Sequence, residues 1–230
     1  MTRIQIASRA DGFEFDALSA AAQGARRGGV VVIQEIFGLD RYVFEDVERW
    51  SAAGFEALAP SLFDRQGRDF VVDTREPADM QAGMARAQAH DPALALADVL
   101  SCVGRLAADG PVFVVGYCFG GSLAWKVAAE AESGVAAVSC YYGGQIPANA
   151  ALALHCPTIA HFGGKDAFIP ADAAVTAIHA AHPDVPVYVY ARSGHGFNNA
   201  GRPDSDPEDA ALARVRTVAH FVEAGGRAPA

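Results

Sequence analysis

The sequence predicts an α/β protein, with a mostly parallel, twisted sheet and helices on both faces of that sheet. Short apolar runs rich in β-branched residues, such as 30–33 and 112–115, are typical of strands that are buried on both sides. Segments with apolar residues at helical spacing, such as 92–107 and 207–223, separate such runs. Alternation of strands and helices favours a parallel sheet, because parallel neighbours need a crossover connection.

The first part of the chain predicts a hairpin and a strand–helix–strand unit. Asp11-Gly12 separates two short strand patterns and favours a tight turn between them. Residues 60–90 have few periodic apolar positions, and we expect an insertion that forms a lid or pocket wall, or else a plain solvated excursion. The predicted elements are strands over 4–7, 13–17, 30–33 and 55–59 and a helix over 43–53 that ends at Gly54.

The remaining residues continue the alternation, and one domain over residues 1–230 is the simplest organisation for a chain of this length. The predicted strands are 112–115, 135–142, 157–162 and 185–191, and the predicted helices are 92–107, 122–130, 171–181 and 207–223.

The composition restricts partners and compartment. The formal net charge of −9 argues against nucleic acid and anionic membranes as partners, because both attract basic surfaces. No apolar run reaches the length of a membrane-spanning helix, and the N-terminus has no apolar stretch of the signal-peptide type. We therefore expect a cytoplasmic protein that acts on a small molecule. A monomer is expected, because no apolar stripe is left over for a partner.

The four cysteines have no paired short spacing; they lie at positions 102, 118, 140 and 156. In a reducing compartment such cysteines are free thiols, and three of them are expected to be small apolar core residues. No group of His, Cys and carboxylate residues has the spacing of metal ligands, so neither a metal nor another cofactor is predicted.

A Gly-x-Cys-x-Gly motif, residues 116–120, stands between the strand 112–115 and the helix 122–130. A strand, a sharp turn and a helix with a nucleophile at the apex form the nucleophile elbow of α/β-hydrolases, in which Cys118 takes the place of the usual serine. Glycines at both flanks allow the chain to fold back tightly. The alternative is a buried structural cysteine in a tight turn.

The position of Cys118 suits nucleophilic chemistry. A helix N-terminus favours the thiolate, and the N–H of Phe119 can point at a developing oxyanion. Asp166 and His195 each follow a predicted strand directly, so all three side chains are expected at one edge of the sheet. In this order Cys118 is the nucleophile, His195 the base and Asp166 the residue that orients the imidazole. Taken singly, each would more often be a cap or loop residue.

Glu35 is a fourth candidate, because it follows the strand 30–33 where this fold contributes a second oxyanion N–H. A carboxylate beside a nucleophilic thiol is unfavourable unless a proton is shared between them. The alternative is a loop salt bridge with Arg41 or Arg65.

Four stretches spread through the chain combine these residues: Gln34-Glu35-Ile36-Phe37-Gly38, Gly116-Tyr117-Cys118-Phe119-Gly120-Gly121, His161-Phe162-Gly163-Gly164-Lys165-Asp166, and 191–197 around His195. Together they resemble the dienelactone hydrolases, or carboxymethylenebutenolidases. The resemblance implies a hydrolase of a small lactone or ester, with a thioester acyl-enzyme. It also implies that Glu35 pairs with the Cys118 thiol at rest and yields it to His195 when substrate binds. The N–H groups of Ile36 and Phe119 would form the oxyanion hole.

The chain departs from the family pattern at the substrate carboxylate, which dienelactone hydrolases of known substrate grip with two arginines. Aligned without gaps, the two positions are Met80 and Asn199, and neither is basic. A neutral lactone or ester is therefore an expected substrate. Phe37, Tyr142 and Phe197 complete the expected substrate contacts. The arginines that would have to substitute for the missing pair are Arg65, Arg68, Arg75 and Arg202.

Two other functions compete with hydrolysis. A cysteine acyltransferase or amidase would use the same triad. An increase in turnover with an alcohol or amine acceptor would favour this function. A non-catalytic member of the fold would bind a small apolar ligand, and its Cys118 would not react with iodoacetamide at neutral pH.

Overall fold

A computed structural model of the chain describes residues 1–73, 76–200 and 202–226. The strands of its sheet are β1 (Thr2–Ala7), β2 (Glu14–Ala20), β3 (Gly29–Ile33), β4 (Glu56–Pro60), β5 (Val112–Tyr117), β6 (Ala137–Tyr141), β7 (Thr158–Gly163) and β8 (Val187–Tyr190). The helices are α1 (Arg41–Ala52), α2 (Pro77–Ala89), α3 (Pro92–Leu106), α4 (Phe119–Ala128), α5 (Ile146–Asn149), α6 (Ala171–Ala181) and α7 (Pro207–Glu223).

The sheet has the order β1-β2-β4-β3-β5-β6-β7-β8. The pairs β1–β2 and β2–β4 are antiparallel, and every pair from β4–β3 to β7–β8 is parallel. Every residue of β3, β5, β6 and β7 is buried, as their continuous apolar runs predict. The mostly parallel sheet confirms the predicted fold class.

Helices cover both faces of the sheet, and β5 shows this directly, because successive side chains of a strand point to opposite faces. Phe113 stacks on Phe221 of α7 at 4.7 Å, and Tyr117 donates a hydrogen bond to a carboxylate of α1. Gly116, at an intervening position, faces α4, where a Cβ would lie 3.0 Å from Ala124 Cβ. The pairs α1–α7 and α3–α4 therefore lie on opposite faces.

The parallel register brings the carboxyl ends of the central strands to one edge. Ile33 pairs with Gly116, Tyr141 pairs with His161, and Gly163 pairs with Tyr190. The residues that directly follow β3, β5, β7 and β8 therefore meet at this edge, which is where parallel sheets bind their ligands.

The segment 60–90 differs from the expected irregular insertion, since it contains a 3₁₀ turn (Asp64–Gln66) and the 13-residue helix α2. Pro77 is the first residue of α2, where its missing N–H costs no hydrogen bond. The Ala, Gln, Met and Arg residues of α2 have high helix propensity. Its helical period is weak because α2 buries only Gly83 among its residues. Thr74 and Arg75 lie outside the described residues.

The other element boundaries agree with the predicted ones to within a few residues, and α6 and α7 match them at both ends. The one-turn helix α5 has no predicted counterpart. None of the helices in the described ranges is long and apolar enough to cross a membrane.

Candidate active site

The turn between β5 and α4 places Cys118 at the N-cap of α4, with φ 54° and ψ −110°. Positive φ is unfavourable for a residue with a Cβ, so the turn is strained at its apex. The flanking glycines permit the close approach. A Cβ on Gly116 would lie 2.0 Å from the Gly120 carbonyl oxygen, and a Cβ on Gly120 would lie 2.4 Å from the Ile33 carbonyl oxygen. The sequence therefore folds as the predicted elbow.

Gly120→Ala is expected to lower the free energy of unfolding by about 3 kcal/mol, because the new methyl group would press on a backbone carbonyl that has no room to move. Urea denaturation followed by circular dichroism measures this change. Gly104→Ala is the matched control, since nothing lies within 4 Å of a Cβ at that position in α3. The control should raise the free energy of unfolding by about 0.5–1 kcal/mol. Equal effects of the two substitutions would contradict the packing argument.

His195 connects the thiol to Asp166. Its Nε2 lies 3.2 Å from Cys118 Sγ, and its Nδ1 lies 2.7 Å from Asp166 Oδ2. The other oxygen, Asp166 Oδ1, accepts hydrogen bonds from the N–H groups of Phe168 and Ile169 at 2.8 and 3.0 Å. These two bonds fix the carboxylate, so that it presents its second oxygen to the imidazole.

The surroundings of His195 favour its protonated form. Burial by itself would lower the pKa of His195, but the hydrogen bonds to Asp166 and to Cys118 outweigh it and raise the pKa to about 10. Burial acts on Asp166 in the opposite sense, yet the bond to His195 keeps the pKa of this carboxyl below its ordinary value. An imidazolium held by a carboxylate and placed beside a thiol is the arrangement that stabilises a thiolate.

Ile36 and Phe119 line the same cavity as Cys118, and each carries a backbone N–H. Gly120 donates its N–H to the Gln34 carbonyl oxygen at 3.1 Å, and this bond joins the turn after β3 to the start of α4. Within the described ranges no hydrogen bond takes up the N–H of Ile36 or of Phe119. Both donors are thus available to a substrate oxygen, and Phe119 is also the first residue of α4, where the helix dipole favours negative charge.

The hydrogen-bond partner of the Glu35 carboxylate differs from the Cys118 thiol that the resemblance implies. Its Oε2 accepts a hydrogen bond from Asn199 Nδ2 at 3.0 Å, and its Oε1 lies 3.8 Å from Arg202 Nη1. Cys118 Sγ is instead in contact with His195. The physical reason is that a buried carboxylate needs donors and positive charge, and the loop after His195 supplies both.

The arginines also separate into two groups. Arg41, Arg65 and Arg68 form ion pairs with carboxylates away from the thiol, so neither Arg41 nor Arg65 is the partner of Glu35. Arg202 contributes to the cavity beside Cys118, and its side chain is only 9% exposed. Arg75 lies outside the described residues.

A cavity of about 500 Å³ opens in front of Cys118 and His195. α2 forms one wall of this cavity, so part of the 60–90 segment is a wall of the cavity that contains Cys118. Among the residues that the structure describes, no three His, Cys, Asp or Glu side chains are grouped so that they could hold a metal ion. The larger apolar side chains of the cavity are Ile36, Met80, Met84, Phe119, Leu123, Phe168 and Ile169.

Of the expected substrate contacts, Met80 lies on the cavity wall. Phe37, Tyr142 and Phe197 have no exposed surface, and Asn199 is 2% exposed. Tyr142 packs edge-on against the His195 ring at 4.9 Å, and Phe197 packs behind Tyr142. The rings of Tyr142 and Phe197 therefore support the imidazole, and the buried Phe37 ring lies under the Arg202 guanidinium. None of the three faces the cavity, which corrects the expectation that they contact substrate.

Sequence reasoning missed the cavity residues Leu123, Lys126 and Phe168. Helical spacing from the elbow could have found the first two, since positions 119, 122, 123 and 126 share one face of α4. Phe168 could have been found from its place two residues after Asp166. Its ring packs edge-on against His195 at 5.6 Å, and the residue is 76% exposed.

The sequence model of the dienelactone hydrolase family matches residues 15–225. A carboxymethylenebutenolidase of Pseudomonas putida is 30% identical over 217 residues, which cover 90% of this chain and 91% of the relative. Carboxymethylenebutenolidase 1 of Cupriavidus pinatubonensis is 30% identical over 225 residues, with 90% and 94% of the two chains covered.

Solved structures show the same fold. A dienelactone hydrolase-like promiscuous phosphotriesterase from metagenomic libraries superposes with a TM-score of 0.76 at 21% identity, over 98% of this chain and 99% of that one. A thermophilic esterase from Thermogutta terrifontis superposes with a TM-score of 0.63 at 14% identity, over 96% and 99%.

Proposed function

Since the chain belongs to the dienelactone hydrolase family, and is thus a lactone or ester hydrolase, we propose that a triad of Cys118, His195 and Asp166 carries the reaction through a thioester acyl-enzyme. One observation supports this most strongly: contact is continuous from Cys118 Sγ through His195 to Asp166, and Cys118 and His195 line the cavity. In this proposal residues 1–230 act as one domain on a small molecule.

The first half of the reaction forms the thioester. The Cys118 thiolate attacks the acyl carbon, and the carbonyl π electrons move onto oxygen, where the N–H groups of Ile36 and Phe119 stabilise the charge. When the tetrahedral intermediate collapses, the C–O bond to the alcohol breaks. The His195 imidazolium gives its Nε2 proton to the departing oxygen, which remains attached to the acyl chain if the substrate is a lactone.

The second half is hydrolysis of the thioester. Neutral His195 takes a proton from a water molecule, and the resulting hydroxide adds to the thioester carbon. Collapse of this intermediate breaks the C–S bond and regenerates the thiolate beside imidazolium. Asp166 keeps the Nδ1 proton in place throughout, so that Nε2 is the nitrogen that gains and loses a proton.

Glu35 acts in this proposal as a positioning residue. Its bond to Asn199 ties the turn after β3 to the loop that carries His195, and these two segments are 164 residues apart in the chain. Ile36, which would supply one oxyanion N–H, directly follows Glu35. The carboxylate thus couples the oxyanion hole to the base.

The substrate class follows from the cavity. Met80 and Asn199 supply no positive charge, and Arg202 is the arginine that reaches the wall, beside the Glu35 carboxylate. We expect hydrolysis of a small lactone that is neutral around the reacting carbonyl, and we test it against a lactone of similar size that carries a carboxylate there. Turnover that strictly requires the carboxylate would overturn this part of the proposal. A rise in turnover with added alcohol or amine acceptors would favour acyl transfer instead.

Stoichiometric iodoacetamide at neutral pH is expected to abolish turnover by alkylating Cys118 at least about tenfold faster than the other cysteines. Cys102 and Cys140 have no exposed surface, and burial raises the pKa of both thiols, while it raises the pKa of Cys156 to about 11. Mass spectrometry measures the site, and residual lactone hydrolysis measures the consequence. Full activity in protein that is completely carbamidomethylated at Cys118 would refute the thiol mechanism, and an unreactive Cys118 would favour the ligand-binding alternative.

A further inference from the structure

The cavity differs in charge from the protein as a whole. The chain has a formal net charge of −9, yet no Asp or Glu is among the described residues that line the cavity. Besides the His195 imidazolium, its lining includes two cationic side chains, Arg202 and Lys126. Arg202 lies 3.8 Å from the Glu35 carboxylate, which offsets its charge. Lys126 has no ion-pair or hydrogen-bond partner within the described ranges, so its charge is uncompensated.

Lys126 lies at the far end of the cavity from the thiol. Phe119, Ser122, Leu123 and Lys126 form one face of α4, and all four line the cavity. Eight residues separate Lys126 from Cys118, which corresponds to about 12 Å along the helix axis. A helical side chain leans toward the N-terminus of its helix, so the ammonium group lies somewhat nearer to the thiol than this.

The proposed mechanism directs the acyl part of the substrate along α4. The departing oxygen must lie beside His195 Nε2, which protonates it, and the Phe168 ring packs against the same imidazole. The alcohol portion therefore lies near Phe168. The space between the α4 face and the Met80 and Met84 side chains of α2 is then left for the acyl chain.

We propose that Lys126 determines specificity by binding an anionic group at the distal end of the acyl chain. This inference rests on the proposed hydrolase function and names the substrate class more closely: an ester or lactone whose acyl part has an apolar middle and a terminal carboxylate. The apolar middle packs on Leu123 and Met84, and the carboxylate pairs with the ammonium at the cavity mouth. The anionic group is remote from the reacting carbonyl carbon.

The test compares two esters that differ only at the end of the acyl chain, p-nitrophenyl octanoate and p-nitrophenyl hydrogen suberate, at neutral pH and low ionic strength. The measured quantity is the ratio of kcat/KM for the suberate to kcat/KM for the octanoate. Lys126→Met is expected to lower this ratio about tenfold, since one charge-assisted hydrogen bond in a partly exposed site is lost. Lys126→Glu is expected to lower it further, and Lys126→Arg to keep it within about threefold of wild type.

Arg105→Met is the matched control, because it also removes one positive charge from the exposed last turn of a helix, here α3. Its ratio should equal that of wild type, and its octanoate hydrolysis should stay within about twofold of wild type. The inference would be overturned if Lys126→Met left the ratio unchanged, or if Arg105→Met lowered the ratio as much as Lys126→Met does. The hydrolase function would stand in both cases. Octanoate turnover in Cys118→Ala at the wild-type level would overturn the proposed function, and the inference with it.

Discussion

Cys118→Ala is expected to lower kcat for lactone hydrolysis by at least about 10⁴-fold, since within the described residues no other thiol or hydroxyl is hydrogen-bonded to His195. Residual catalysis would come from binding and the oxyanion hole. Cys118→Ser is expected to lose nearly as much. Stopped or continuous assays of a neutral lactone measure both variants against wild type. Circular dichroism and urea denaturation check that each variant is folded.

The serine variant is informative because its chemistry needs a different protonation state. A serine hydroxyl must give its proton to a neutral imidazole as it attacks, whereas a thiolate attacks beside imidazolium. The hydrogen bond that His195 Nδ1 donates to Asp166 Oδ2 remains in the variant and continues to favour imidazolium. A serine variant that keeps more than about one tenth of the wild-type kcat would show that His195 is an effective general base, and that the site is not tuned to a thiolate.

Asp166→Asn is expected to lower kcat/KM by about 10²-fold or more, because the carboxylate that stabilises imidazolium is lost. The substitution isolates this effect, since the retained amide oxygen can still accept the two N–H bonds from Phe168 and Ile169. The loop that carries the acid should therefore keep its conformation. Asp172→Asn is the matched control, an exposed side chain in the first turn of α6, and should leave kcat/KM unchanged.

The pH profile of Asp166→Asn separates an electrostatic role from a merely structural one. In wild type the pKa of His195 is raised to about 10, so the imidazolium form persists through neutral pH and is lost as the pH rises through that value. Without the carboxylate the pKa of His195 falls, and the alkaline limb of the kcat/KM profile should move to lower pH. A variant with reduced activity but an unmoved alkaline limb would contradict the assigned role of Asp166.

The local patterns of the sequence were sufficient for the sheet and for the three reactive side chains. Continuous apolar runs mark strands that are buried on both sides, and such strands need parallel neighbours and helical crossovers. Once the sheet is parallel, residues that follow its strands must share an edge. Cys118, Asp166 and His195 meet for this reason, although 77 residues separate the thiol from the imidazole.

Other features depended on contacts that no local pattern encodes. The helix α2 buries only Gly83, so it lacks the broad apolar stripe of a core helix, and Met80 and Met84 face the cavity instead. It is therefore poorly marked in the sequence. Phe37, Tyr142 and Phe197 are aromatic residues near functional motifs, which fits either a substrate contact or a packing role. Because all three side chains are completely buried, they have the packing role.

Sequence by itself determined the fold class, the strained turn at Cys118 and the order of nucleophile, acid and base, because these follow from spacing along the chain. Only the tertiary structure decided which charges pair and which stay free. The Glu35 carboxylate pairs with Asn199 and Arg202, and Lys126 has no ion-pair or hydrogen-bond partner in the described part of the chain. The reason is physical: a buried charge is stabilised by whichever donors the completed fold brings within a few ångströms, and those donors come from distant parts of the sequence.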